Sequence, residues 1–403
     1  MIDVDQAPPR ERPLREEVAP GALLPEDAAR AALVGRVLDP EVGGPCVVAV
    51  RGDRVVDLSA LAPTTSALLE RPDVADVVAS APGGRSWPLE ELLADTLARR
   101  PGAARLLAPV DLQVVKAAGV TFVRSMLERV IEERAGGDPA AAEEVRARVV
   151  AAVGGTVSAV RPGSPEAERV KEVLIAEGLW SQYLEVGIGP DPEVFTKAPV
   201  LSAVGAGAQI GVLERSTWNN PEPEVVLAVT AAGVPVAATL GNDVNLRDFE
   251  GRSALLLTEA KDNNASCALG PFLRLFDDGF TLDDVRGAEV SLRVTGADGY
   301  ELVGTSSMRE MSRDLLDLVS HARGRHHQYP DGFVLFTGTM FAPTQDRYAA
   351  GEGFTHARDD VVVISSPRLG ALVNTVTAAE EAPEWTFGIT ALMRNLAERG
   401  LLA

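Results

Sequence analysis

The sequence predicts an α+β fold, and three observations carry that reading. From residue 183 to 385 short β-rich runs follow one another (VFTKAPVL, EVVLAVT, VPVAATLG, AEVSLRVTG, YELVG, GFVLFTGT, DVVVISS, ALVNTVT), separated by Gly, Asp and Pro turns. Helical periodicity is confined to other stretches, so strands do not alternate with helices as a doubly wound sheet requires. The 403 residues, 46% hydrophobic and 24% charged, have an ordinary globular composition and length for two domains.

In chain order, the first 20 residues are rich in Pro, Arg and Glu without periodicity and read as a frayed, disordered start. PCVVAVRGDRVVDLSA (45–60) predicts two strands around a tight turn. Pro88 then opens a helix with Leu89, Leu92, Leu93 and Leu97 on one face. The character changes after RRPGAARLLAPV, which places a boundary near residue 108 between a smaller N-terminal α/β domain, 1–108, and a larger domain, 109–403. Helices are expected over 113–135, where Phe122, Met126 and Val130 recur at i+4, over 138–152, over 164–177 and over 312–323, with TALMRNLAERGLL closing the chain.

With 58 acidic and 38 basic residues the formal net charge is −20, which argues against nucleic acid and acidic membrane surfaces as partners. The start, MIDVDQAPPRERPLREE, lacks the pattern of a signal peptide, and no apolar run is long enough to span a bilayer. Two cysteines, Cys46 and Cys267, suit a reducing cytoplasmic compartment. The cations are overwhelmingly arginine. Lysine occurs only at Lys116, Lys171, Lys197 and Lys261, so a position that keeps lysine is a candidate for amine chemistry.

The segment WNNPEPEVVLAVTAAGVPVAATLGNDVNLRD (218–248) is the most informative. If 222–229 is a strand, Glu222 and Glu224 leave the same face. A turn at 230–233 would set Gly241 opposite Glu222 and bring Asp243 to the same side. Three carboxylates with no nearby cation repel one another unless a metal or protons offset the charge. An all-oxygen set favours Mg²⁺, with Mn²⁺ or Ca²⁺ possible. The alternative is a polar edge with Asp243 in an ordinary Asn-Asp turn.

The strings PEPEVVL, LGNDVNLRD and EAKDNNASCALGP, with Lys261 nine residues before Gly270, resemble the metal-binding core of the fumarylacetoacetate hydrolase family. FTKAP (195–199), TSSM (305–308) and FTGTMFAP (336–343) look like further landmarks. LLAPVDLQVVKAAGVTF, LWSQYLEVGIGPDPEVFTK and HQYPDGFVLFTGTMFAP are similar to the sugar-acid branch, whose members dehydrate 2-keto-3-deoxy acids derived from D-xylonate or D-arabinonate. The resemblance implies a mixed β-roll catalytic domain, Mg²⁺ on Glu222, Glu224 and Asp243, and a homodimer or dimer of dimers. It also implies a small anionic 2-oxo acid substrate, dehydrated to 2,5-dioxopentanoate in non-phosphorylative pentose catabolism.

One departure bears on the reaction. The C–C hydrolases of the family carry N-Y-x-x-H-x-x-E, and the corresponding stretch here is TFVRSMLE (121–128), with Ser125 in place of the water-activating histidine. Dehydration needs no activated water, whereas an acylpyruvate hydrolase or oxaloacetate decarboxylase is the alternative enzyme and an inactive 2-oxo-acid-binding protein the alternative of another class. Glu128, on the same helix face as Ser125, is the first candidate for the base at C3 and Glu193 the second. Lys261 would bind the substrate carboxylate or protonate the leaving hydroxyl. Lys197, Thr339, Asn242 and His327 are candidate substrate contacts, the last from the cluster His321, His326 and His327. SAVGAGAQIG (202–211) has the wrong spacing for a dinucleotide loop.

Overall fold

A computed structural model describes residues 14–136, 138, 141–142, 160–176, 178, 180–339, 341, 343, 345–348 and 353–402. The α+β reading is met by mixed sheets with peripheral helices. The strands are β1 (Leu33–Asp39), β2 (Gly44–Arg51), β3 (Arg54–Asp57), β4 (Ser86–Pro88), β5 (Arg105–Leu107), β6 (Val114–Gly119), β7 (Glu193–Ala198), β8 (Gln209–Val212) and β9 (Asn219–Asn220). They continue as β10 (Pro223–Val229), β11 (Pro235–Asp243), β12 (Asn245–Leu246), β13 (Cys267–Leu275), β14 (Glu289–Thr295), β15 (Glu301–Ser307), β16 (Phe333–Phe336), β17 (Val361–Ser366) and β18 (Gly370–Ala378).

Eleven strands form one long sheet in the order β4-β3-β2-β1-β13-β11-β10-β16-β6-β7, with β5 on β1. A second sheet, β15-β14-β17-β18-β8, packs β18 over β13 and β14 over β10. Its inner residues, among them Leu292, Val294, Ile364 and Leu372, join Val225, Leu227, Leu240 and Phe272 in one core. The opposite face of the long sheet buries Val226, Leu269, Leu273 and Phe336 with Leu68, Leu69, Val77 and Val78 from the helices Thr65–Leu69 and Val74–Ser80. The helices Val123–Arg134, Pro165–Ala176 and Gln182–Ile188 make a third cluster with Trp218.

Several expectations are corrected. Residues 114–119 are a strand, pairing parallel with β16 and antiparallel with β7, and the helix begins only at Val123. The β-branched pair Val114-Val115 and a position inside the sheet override the helical periodicity that starts at Phe122. Leu14 and Val18 are buried, so the tail reading fails for residues 14–20, while residues 1–13 lie outside those described, as does most of the expected 138–152 helix. β13 shows no strand alternation in sequence, because it is buried on both faces and carries Pro271 at an irregularity in its pairing between Ala238 and Leu240. In the segment before residue 108, β1 pairs directly with β13. Among the described residues no helix is long and apolar enough to cross a membrane.

One buried arginine ties the N-terminal strands to the rest. The Arg36 guanidinium donates to the carbonyls of Val110 at 2.6 Å and Ala108 at 3.2 Å and lies 3.7 Å from Asp111. Asp111 in turn accepts the amides of Thr65 and Ser66, at 2.6 and 3.0 Å. Arg36→Met should therefore strand buried acceptors and lower unfolding stability by about 2–4 kcal/mol, read as a reduced urea midpoint.

Candidate metal and active site

The site grows from the β10–β11 hairpin. Pro223 pairs with Asn242 and Glu224 with Gly241, and the Asp243 amide donates to the Glu222 carbonyl at 3.0 Å. Asp243 therefore stands directly across from Glu222, two residues from the expected register. The shift is even, so the three acidic side chains still share one face. Their carboxylate oxygens lie within 4.8 Å of one another and all three residues are buried. Gly241 has to be glycine: a Cβ there would sit 2.3 Å from the Phe336 ring.

Cations are close by, the two candidate lysines among them. Lys261, ending the helix Leu257–Lys261, places its ammonium 2.5 Å from Glu222 Oε2 and 3.2 Å from Asp243 Oδ2. Lys197 on β7 lies 2.8 Å from Asp243 Oδ1 and donates to the Val244 and Lys261 carbonyls. Arg129, from the helix Val123–Arg134, donates to Glu222 Oε1 and lies 2.5 Å from Glu132 and 3.1 Å from Glu250. Arg247 binds Glu132 at 2.7 Å, stands 3.6 Å from Glu128 and stacks on Trp218 with 4.1 Å to the ring centre. Arg129, Glu132, Arg247 and Glu250 were not anticipated. The only signal for the helix members was a run of charges interleaved with Met126, Val130 and Ile131.

The electrostatics are uneven across the site. Burial, then Asp243 and Glu222, pushes the Glu224 carboxyl well above its ordinary range. Glu224 accepts the Gly338 amide at 2.6 Å and makes no ion pair among the described residues. Burial also raises Glu222, against the pull of Lys261 and Arg129. Asp243 is burdened by burial too, yet Lys197 and Lys261 hold it below its usual value. Burial opposes charge on Lys261, but Asp243 and Glu222 outweigh it and keep the amine protonated. Glu193 is pushed up to about 7 by burial and then by Glu250.

A cavity beside the triad is lined by Lys261, Glu193, Ser125, Thr339, Arg129, Glu250, Phe195 and Gly119, together with Glu222, Glu224 and Asp243. Gly119 makes room for Glu193, since a Cβ at 119 would collide with its carboxylate. The neighbouring Val120, a β-branched residue at φ 57°, sits in the left-handed region and also lines the cavity. Other expected residues are placed elsewhere. Lys197 is fully buried behind Asp243, and Glu128 faces Arg247 outside the lining. Asn242 is on the opposite strand face, its Oδ1 accepting the Glu222 amide at 3.0 Å. His327 is exposed in a turn with Gly324 and packs edge-on to Tyr329, away from the cavity lining.

The donor set suits a hard divalent cation: three buried carboxylates, neither His nor Cys, and a Glu224 with no ion pair among the described residues. Because the Glu193 carboxyl is raised from 4.5 to about 7, its protonated form favours the folded state, a contribution present below pH 4.5 and lost as pH rises through 7. In metal-free buffer, Glu193→Gln should gain stability over the wild type across that interval, by about 1–3 kcal/mol at pH 8 given the partial exposure of the group. Thermal unfolding of both proteins from pH 4 to 8 reads the difference, and parallel curves would contradict it.

Residues 189–377 match the family described as fumarylacetoacetate (FAA) hydrolase C-terminal. A Haloferax volcanii protein named "Probable 2-keto-3-deoxyxylonate dehydratase" is 33% identical over 195 residues, 48% of this chain and 63% of that protein, so less than two thirds of the relative is matched. The 2-dehydro-3-deoxy-D-arabinonate dehydratase of Saccharolobus solfataricus is 28% identical over 210 residues, 52% of this chain and 67% of that one. Among solved structures, 2-keto-3-deoxy-D-arabinonate dehydratase in its apo form superposes with a TM-score of 0.61 at 19% identity, covering 86% of this chain and 99% of its own. The same-named protein complexed with magnesium and 2,5-dioxopentanoate gives 0.60 at 19% identity, covering 86% and 99%. At such identities the superpositions show the shared fold alone, while residues 189–377 carry the similarity to the fumarylacetoacetate hydrolase C-terminal family.

Proposed function

We propose that the protein is a metal-dependent hydro-lyase that removes water from a 2-keto-3-deoxypentonate, of D-xylonate or D-arabinonate origin, to give 2,5-dioxopentanoate. The observation that carries this is the pairing of a buried all-oxygen triad with a carboxyl poised near neutrality, Glu193, in one cavity that holds no histidine. The names of the two matched relatives point the same way.

Glu222, Glu224 and Asp243 would hold Mg²⁺. Bound there, the ion supplies Lewis acidity toward the carboxylate and ketone oxygens of a 2-oxo acid, which makes the C3 protons acidic. Glu193 takes a C3 proton, because a base titrating near 7 is substantially ionised at neutral pH and can also give the proton back. It returns that proton to the C4 hydroxyl, which departs as water, and the product isomerises through an enol to the C5 aldehyde. Lys261 acts through its fixed positive charge beside the anionic substrate; an amine held so firmly protonated is a poor acid for the leaving group. Ser125 donates to the Phe122 carbonyl at 3.0 Å, so it shapes the cavity wall and does not serve as a base. Glu128, committed to the Arg247 side, gives way to Glu193 as the base.

Two measurements test the reading. EDTA should abolish turnover of 2-keto-3-deoxypentonates and Mg²⁺ restore it, with all five substrate carbons retained in a semialdehyde; turnover by metal-free protein, or a C–C cleavage product, refutes the proposal. Glu193→Gln should lower kcat by about 10²–10⁴-fold, whereas Glu128→Gln should cost less than about tenfold because Glu128 stands outside the cavity lining, 3.6 Å from Arg247. The reverse ranking would move the base to Glu128.

A further inference from the structure

The charges around Glu222 cannot all persist once a dication arrives. In the structure one carboxylate, Glu222, is shared by Lys261 through Oε2 and by Arg129 through Oε1. A divalent ion on Glu222 would sit beside both, and in a buried site such repulsion is weakly screened. The two cations are not equivalent. Both carboxylate partners of Lys261, Glu222 and Asp243, belong to the triad. Arg129 has two partners outside it, Glu132 at 2.5 Å and Glu250 at 3.1 Å. The guanidinium is buried and so cannot retreat to water, while Glu132 is itself held by Arg247 at 2.7 Å. A planar fork that already spans several carboxylates can release one and keep the others, which a single ammonium between two metal ligands cannot.

We propose that Arg129 is an internal counter-cation of the metal site, engaging Glu222 in the absence of metal and passing wholly to Glu132 and Glu250 when a divalent ion takes Glu222. It is a positioning residue that lowers metal affinity, since each binding event must first break its contact with Glu222. The exchange also turns one edge of the guanidinium toward the cavity that Arg129 lines, where an anionic ligand would meet it. This inference rests on the metal reading of the triad.

The probe is Mn²⁺ alone, titrated without substrate by calorimetry and by the electron paramagnetic resonance of free Mn²⁺. Arg129→Gln should bind Mn²⁺ at least about tenfold more tightly than the wild type. A simple change of net charge would do part of the same, so the deciding test is a double-mutant cycle with Glu132→Gln. Glu132→Gln removes an alternative partner of Arg129 and should weaken Mn²⁺ binding several-fold in the wild type, yet by less than about twofold in the Arg129→Gln background. Equal losses in both backgrounds, or no gain from Arg129→Gln, overturn the proposal while leaving the metal site standing. Failure of both wild type and Arg129→Gln to bind Mn²⁺ overturns the metal reading and this inference with it. Should Arg129→Gln fail to fold, a crystal structure of the Mn²⁺-loaded wild type decides: Arg129 separated from Glu222 by more than about 4 Å with its Glu132 contact kept supports the exchange, and an intact Arg129–Glu222 pair overturns it.

Discussion

The site depends on one constraint, a crowd of carboxylates that outnumbers the cations beside it among the described residues. Glu128, Glu132, Glu193, Glu222, Glu224, Asp243 and Glu250 gather around Arg129, Lys197, Arg247 and Lys261, all at the junction of the β10–β11 hairpin, the helix Val123–Arg134 and the segment 247–261. With every group ionised, negative charge would be in excess among these described residues. Buried charge of that size is not tolerated, and the protein answers by favouring the protonated forms of Glu224 and Glu193. A dication would offset most of the same excess, so metal entry and proton release are two responses to one imbalance.

The fold keeps this arrangement rigid through backbone pairing. Glu222 and Asp243 are locked face to face by the hairpin, and the hairpin is enclosed by β13 on one side and β16 on the other. Close approaches at Gly241 and Gly119 leave no room for side chains and bring Phe336 and Glu193 against the site. Because β1 pairs with β13, the N-terminal strands extend the very sheet that carries the triad, so residues 33–57 support the site from within its own layer.

What could be read from the sequence follows from which rules are local. Strand alternation is local, so Glu222, Glu224 and Asp243 were placed on one face even though the turn was misjudged by an even step. β13 was not readable, since a strand covered on both sides has no alternation to show. Nor was 114–119, whose strand character comes from its neighbours β16 and β7 rather than from its own pattern. Arg129, Glu132 and Arg247 were missed for a related reason: a charge on a helix reads as a solvated face, and only the tertiary fold shows these to be buried against Glu222 and Glu250. His327, close in sequence to a landmark string, lies in an exposed turn outside the cavity lining.

The scarcity of lysine has a physical counterpart in this division of cations. Of the four lysines, the two that are buried, Lys197 and Lys261, both address Asp243, from its two oxygens. The compact ammonium of Lys261 fits between Glu222 and Asp243, and that of Lys197 meets the other oxygen of Asp243. The arginines stand one step back, where planar forks bridge Glu132, Glu250 and Glu128 and stack on Trp218. Lysine beside the triad and arginine behind it hold these carboxylates together while Glu224 makes no ion pair among the described residues.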